Sequence, residues 1–207
     1  TSTARPVEAV QVLRETARDN PNHPGVLTNY CVALNYAENI SPDEILGAHT
    51  QYGRTLAAIP GPFMDAKSFP NPRDPERKLR IGLVSPDLFD HSVAYFVRPM
   101  LEQRDRSRFE YTVYATGAKA DAMTQRIRQS ADAWRDIPRN PDPQFIEQIR
   151  ADRIDILIEL SGQTHGNRLM ALRLRGAPIQ ITYIGYPNTT GVQSMDYRIV
   201  DSLTDPA

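Results

Sequence analysis

The chain has 207 residues with 24 basic and 25 acidic side chains, a formal net charge of −1 and one cysteine. That length allows one ordinary domain, or one with a small appendage, and the even charge balance gives no support for a dedicated nucleic-acid or membrane surface. Cys31 alone excludes an internal disulfide framework and fits a reducing compartment, and no apolar run approaches the roughly 18 residues a membrane helix needs.

The start, Thr1-Ser2-Thr3-Ala4-Arg5, lacks the apolar core of a secretory signal, so a cytoplasmic location is expected. There is no initiator Met and no closing helix over 201–207, which is the expected look of a piece cut from a longer protein.

Residues 1–59 carry helical spacing only. Val7, Val10, Leu13 and Ala17 repeat as one face of a helix, and Asp19-Asn20-Pro21-Asn22-His23-Pro24-Gly25 breaks it. Val26, Leu27, Tyr30, Ala33 and Leu34 make a second amphipathic run. Ser41-Pro42-Asp43-Glu44 opens a third helix that continues to about Ala58: Ser41 is a good N-cap, Pro42 suits the first helical position, and Glu44 completes a capping box. Pro60, Pro62, Pro70, Pro72 and Pro75 mark 60–78 as an extended linker.

From 79 to 207 strand and helix patterns alternate. Strands are predicted over 79–85, 111–115, 133–137, 154–160, 179–185 and 197–200, and helices over 93–104, 120–130, 143–151 and 169–174. This alternation predicts an α/β fold with a parallel sheet covered on both faces. Ile154-Asp155-Ile156-Leu157-Ile158-Glu159-Leu160 is mostly apolar, as a central parallel strand should be.

The loops name the chemistry more than the elements do. No G-x-G-x-x-G follows the first strand and no G-x-x-x-x-G-K-[ST] occurs, which argues against a dinucleotide dehydrogenase and a P-loop NTPase. No His and Cys have metal-ligand spacing, and there is no G-x-S-x-G elbow. What the first strand does run into is Pro86-Asp87-Leu88-Phe89-Asp90-His91, at the strand end where open α/β sheets bind ligands. Asp87 and His91 are therefore candidates for proton transfer, a histidine having an ordinary pKa of about 6.5. A turn-forming aspartate and a backbone-bonded histidine at the helix start are the structural alternatives, and Asp90, helped by Ser92, is expected to cap the helix. A second loop, Ile184-Gly185-Tyr186-Pro187-Asn188-Thr189-Thr190-Gly191, ends another strand of the same sheet.

These residues also carry a resemblance. Arg80-Ile81-Gly82-Leu83-Val84-Ser85-Pro86-Asp87-Leu88-Phe89-Asp90-His91 resembles the first strand and loop of the O-linked N-acetylglucosamine transferases, the family 41 glycosyltransferases, in their bacterial form. Ile158-Glu159-Leu160-Ser161-Gly162-Gln163-Thr164-His165-Gly166-Asn167-Arg168 is similar to their glycine-threonine-x-glycine-x-arginine loop. Arg175-Gly176-Ala177-Pro178-Ile179-Gln180, the Gly185 to Gly191 segment and Met195-Asp196-Tyr197 are similar to their most recognisable stretch. The helices over Ala9 to Leu34 resemble, more weakly, the end of a tetratricopeptide array.

The resemblance implies an α/β Rossmann-like sheet that forms the N-terminal half of a GT-B glycosyltransferase, preceded by tetratricopeptide-like helices. It implies an inverting transfer of N-acetylglucosamine from UDP-GlcNAc to Ser or Thr hydroxyls of a protein or peptide acceptor, with no metal and no cofactor beyond the donor. His91 and Asp87 would be catalytic, one or the other accepting the proton. Thr164, Gly166, Ile184, Gly185 and Pro187 would line the substrate site, and Tyr30, with Cys31 and Leu34, would lie on a helix near the sugar, although helix core is their default reading. His165 is expected to be an exposed basic residue that binds rather than catalyses, and Asp196 to be structural. The C-terminal catalytic half would hold the uridine and diphosphate, so the chain by itself is expected to be inactive. The alternatives are a relative that uses UDP-glucose or GDP-fucose, and a catalytically silent tetratricopeptide scaffold. Tyr95 stands where many eukaryotic members have a second histidine, so acceptor positioning is expected to differ.

Overall fold

The computed structural model describes residues 5–74, 76–138 and 140–203, so the expectations for 1–4, Pro75 and 204–207 lie outside the described residues. The chain divides into two compact units, residues up to 61 with 187–193, and 62–186 with 194 onward.

The first unit holds helices α1 (Pro6–Asp19), α2 (Pro24–Leu34) and α3 (Pro42–Ala58), each with a proline in its first turn, where the missing N–H costs nothing. Val10, Leu27, Cys31, Leu34, Tyr52 and Leu56 are buried between them. Ser41 caps α3, accepting the Glu44 N–H at 3.1 Å. The expected capping box does not close, because the Glu44 carboxylate turns instead to the Tyr30 hydroxyl at 2.5 Å and to Arg14 at 2.8 Å. Residues 187–193 pack with these helices rather than with the sheet. A Cβ on Gly53 would lie 1.7 Å from the Gly191 carbonyl oxygen, and one on Gly191 would lie 1.9 Å from that of His49, so two glycines let the backbones touch.

The second unit is a parallel sheet of β1 (Leu79–Ser85), β2 (Phe109–Ala115), β3 (Ala133–Asp136), β4 (Ile156–Glu159), β5 (Ile179–Tyr183) and β6 (Tyr197–Ile199), in the order β3-β2-β1-β4-β5-β6. Every adjacent pair runs parallel. Helices α4 (Ser92–Glu102) and α5 (Ala122–Ser130) cover one face through Val93, Val97, Leu101 and Ile127. Helices α6 (Asp142–Ala151) and α7 (Leu169–Leu172) cover the other through Phe145, Ile146, Ile149 and Leu172. The α/β expectation thus holds: β1 spans the predicted run, β2 begins two residues earlier than predicted, and β3 to β6 are one to three residues shorter than their apolar runs.

The proline-rich stretch is a strap rather than a free linker. Met64 N–H reaches the Leu174 carbonyl at 3.2 Å, and Asn71 donates to the Asp155 carboxylate at 2.6 Å. Arg175 forms a two-point ion pair with Asp196 at 2.7 and 2.8 Å, and Gln180, fully buried, bonds Gly176, Leu172 and Ser194. The arginine, glutamine and aspartate of the most recognisable stretch are therefore framework, and Asp196 is structural as expected.

Candidate active site

Strand order reverses at the β1–β4 pair, and that switch point opens a crevice at the carboxyl ends of the strands. The loops after β1, β2 and β4 meet there around Pro86. A Cβ on Gly117 would lie 2.0 Å from the Pro86 carbonyl oxygen, and one on Gly166, whose φ is +79°, would lie 3.1 Å from the Pro86 ring. Glycine at these two positions is what lets three loops share one crevice.

Asp87 sits half-buried in this crevice, its N–H bonded to the Ser85 hydroxyl at 3.0 Å. Burial pushes its carboxyl above the ordinary aspartate range, and electrostatic interaction with His91, His165 and Lys119 pulls it partly back. Among the described residues its carboxylate oxygens accept no hydrogen bond. Lys119 lies 4.8 Å above the Phe89 ring, which in turn packs 5.6 Å from the His91 ring.

His91, not Asp90, is the N-cap of α4: its Nδ1 accepts the Val93 N–H at 3.3 Å. Asp90 is occupied otherwise, accepting the Tyr95 hydroxyl at 2.7 Å while its N–H bonds Asp121. The imidazole wins the cap because its own backbone is extended, at φ −149° and ψ 152°, which aims the ring at the helix amides. With Nδ1 accepting, the ring carries its hydrogen on Nε2 and offers a donor to whatever occupies the crevice.

The other expected site residues divide by unit. Thr164 is half-buried after β4, its hydroxyl donated to the Ser161 carbonyl at 2.8 Å, and His165 and Gly166 are exposed beside it. Ile184 and Gly185 follow β5. The Gly185 N–H bonds the Tyr183 carbonyl at 2.8 Å across Ile184, which has φ +58° and is 37% exposed. A β-branched residue in the left-handed region costs on the order of 1–3 kcal/mol, and such strain concentrates at functional sites. Pro187, exposed, and Tyr30, buried, belong to the helical unit, where the Tyr30 hydroxyl is spent on Glu44. Burial pushes the Cys31 thiol up to about 12, so it is no nucleophile.

Lys119 and Glu159 were not anticipated. Lys119 stands in a loop after a strand, which the switch-point rule could have flagged. Glu159 was visible as one charge inside an apolar run; it is 2% exposed, and burial raises its carboxyl against the Thr182 hydroxyl and two backbone N–H groups that favour the anion. Among the described residues no group of three or more His, Cys, Asp or Glu could hold a metal ion, and no helix is long and apolar enough to cross a membrane.

Fold and site together define a Rossmann-like α/β unit that presents a carboxylate, a histidine and two further basic side chains at its switch point. Residues 62–207 match the model for glycosyl transferase family 41, and the chain belongs to that family. It is 40% identical over 191 residues to a Petunia hybrida protein described as a probable UDP-N-acetylglucosamine–peptide N-acetylglucosaminyltransferase SPINDLY, covering 90% of this chain and 20% of the relative. To the UDP-N-acetylglucosamine–peptide N-acetylglucosaminyltransferase of Caenorhabditis elegans it is 35% identical over 132 residues, 63% of this chain and 12% of the relative. The solved structure of a mutant Thermobaculum terrenum O-GlcNAc transferase superposes with a TM-score of 0.81 at 33% identity, covering 94% of this chain and 37% of that one. The chain thus spans about a fifth of the length of the SPINDLY relative.

Proposed function

We propose that this chain is part of a protein O-GlcNAc transferase and supplies its proton-handling crevice. The oxygen of an acceptor Ser or Thr attacks the anomeric carbon of UDP-N-acetylglucosamine, the bond from that carbon to the diphosphate breaks, and UDP leaves with inversion. Asp87 takes the hydroxyl proton, and the His91 Nε2–H orients the acceptor or donor oxygen. The single observation that supports this division is the cap bond on His91 Nδ1 beside an Asp87 carboxylate free of hydrogen-bond donors. Thr164, Gly166, Ile184 and Gly185 border the sugar. Pro187 and Tyr30, on the helical unit, are further substrate-binding residues in this reading. UDP-GlcNAc is a substrate, the reaction uses no resident metal or cofactor, and a C-terminal half of the same protein holds the nucleotide. The setting is the cytoplasm.

The test is transfer of sugar to a Ser/Thr peptide by the full-length protein, with UDP-N-acetylglucosamine, UDP-glucose and GDP-fucose offered separately. Transfer from the first, lost by about 10²-fold or more in Asp87→Asn, is the expected result. Preference for another donor replaces the sugar assignment, and no transfer from any of them overturns the enzyme reading.

A further inference from the structure

Glu159 is a buried carboxylate that the proposed reaction does not use. It ends β4 at the root of the loop that carries Thr164 and Gly166. Its Oε2 accepts the Ser161 N–H at 3.0 Å and the Gly162 N–H at 2.9 Å, and its Oε1 accepts the Thr182 hydroxyl. Thr182 is its register partner on β5, two residues before Ile184. The two loops touch again further out. Gly162 has φ +53°, and a Cβ there would lie 2.2 Å from the Tyr186 Cβ; a Cβ on Gly185 would lie 1.8 Å from the Leu160 carbonyl oxygen.

An apolar side chain would fill the same place in this strand without the cost of burying a carboxyl group. It would leave the Ser161 and Gly162 amides unpaired and cut the link to Thr182. The cost of the buried carboxylate therefore secures loop geometry that packing alone does not supply.

We infer that Glu159 is a positioning residue: it locks the Thr164–Gly166 loop to the strained Ile184–Gly185 turn, so that both present one rigid wall to the ligand. What that wall faces, donor sugar and acceptor hydroxyl, rests on the function proposed above. The coupling of the two loops does not.

The test uses the full-length protein with Glu159→Ala, Glu159→Gln and Thr182→Val. Amide hydrogen exchange is read over 160–166 and 183–186, alongside kcat and the affinity for UDP. In Glu159→Ala, exchange should rise about tenfold in both segments. Its kcat should fall by roughly 10²-fold, the effect of a misplaced reacting group, with UDP affinity within about threefold of wild type. Glu159→Gln should restore both readouts, because its amide oxygen accepts the two loop N–H groups and its NH₂ donates to Thr182. Thr182→Val should raise exchange over 183–186 alone. A folded Glu159→Ala with unchanged exchange over 183–186 overturns the inference, as does Glu159→Gln as impaired as the alanine. If Glu159→Ala fails to fold, unchanged exchange in Thr182→Val overturns it instead. A wild type that transfers no sugar refutes the proposed function, and the exchange pattern alone then decides the coupling.

Discussion

Two aspartates stand at opposite ends of one sheet, and their surroundings differ in kind. At the amino edge, Asp155 is clamped by Arg77 at 2.7 and 2.5 Å, by the Arg80 N–H at 2.8 Å and by Asn71 at 2.6 Å. Burial alone would raise its carboxyl, but Arg77, Arg80 and Asn71 outweigh that and hold it below the ordinary aspartate range. At the carboxyl edge, burial holds Asp87 above that range, with His91, His165 and Lys119 acting only through their fields. A carboxylate whose lone pairs are filled by fixed donors is part of the framework. One that is half-buried, unfilled and faced by basic side chains keeps its affinity for a proton and is free to use it.

Substitutions break this contrast in order of expected effect. Asp87→Asn should cut transfer by about 10²–10⁴-fold, the usual worth of a proton acceptor, and leave the fold intact. It should even stabilise the neutral-pH protein slightly. A carboxyl whose folded pKa is raised contributes its stability below the unfolded pKa and loses it as pH rises through the folded one. Urea unfolding at pH 7 checks this sign.

Asp155→Asn should do the reverse. It strands Arg77 at a part-buried site and should cost roughly 3 kcal/mol of stability, with transfer kinetics unchanged in the folded population. Its pH dependence has the opposite sense as well. A carboxyl held low contributes stability above the unfolded pKa of about 3.9 and loses it as pH falls through the lower folded value. The gap between wild type and Asp155→Asn in urea titrations should therefore be full near neutrality and close in strong acid.

Smaller effects sharpen the carboxyl edge. His91→Ala removes the α4 cap and should cost about 1 kcal/mol, whereas His91→Asn keeps an acceptor for the Val93 N–H and should cost about half of that or less. Both should impair transfer, since neither offers the Nε2 donor. Equal transfer by His91→Asn and wild type would reduce His91 to a cap.

Much of the carboxyl edge was legible in sequence because its signals are local. An apolar run ending in Ser85, then Asp87 and His91 before a helical pattern, is enough to place both residues at a strand end, and Gly166 announces the close approach that its positive φ permits. The amino edge was not, because its partners are far apart in the chain: Asn71 and Arg77 find Asp155 some eighty residues away, and a run of prolines conceals that docking. The same limit hid Tyr30 bonding Glu44, which removed the capping box that local spacing predicted. Asp90 lost the cap to His91 because residue preference ranks aspartate first, while backbone geometry there favours the imidazole. Glu159 was in plain view within its strand, but its register partner Thr182 appears only once β4 and β5 are paired.

The most direct measurement is the pH dependence of single-turnover sugar transfer by the full-length protein, wild type against Asp87→Asn. If Asp87 takes the proton, the wild-type rate falls on the acid side through an ionisation above the ordinary aspartate range, and that limb is missing from the residual activity of the variant. An acid limb that persists unchanged in an Asp87→Asn protein of near wild-type rate contradicts it.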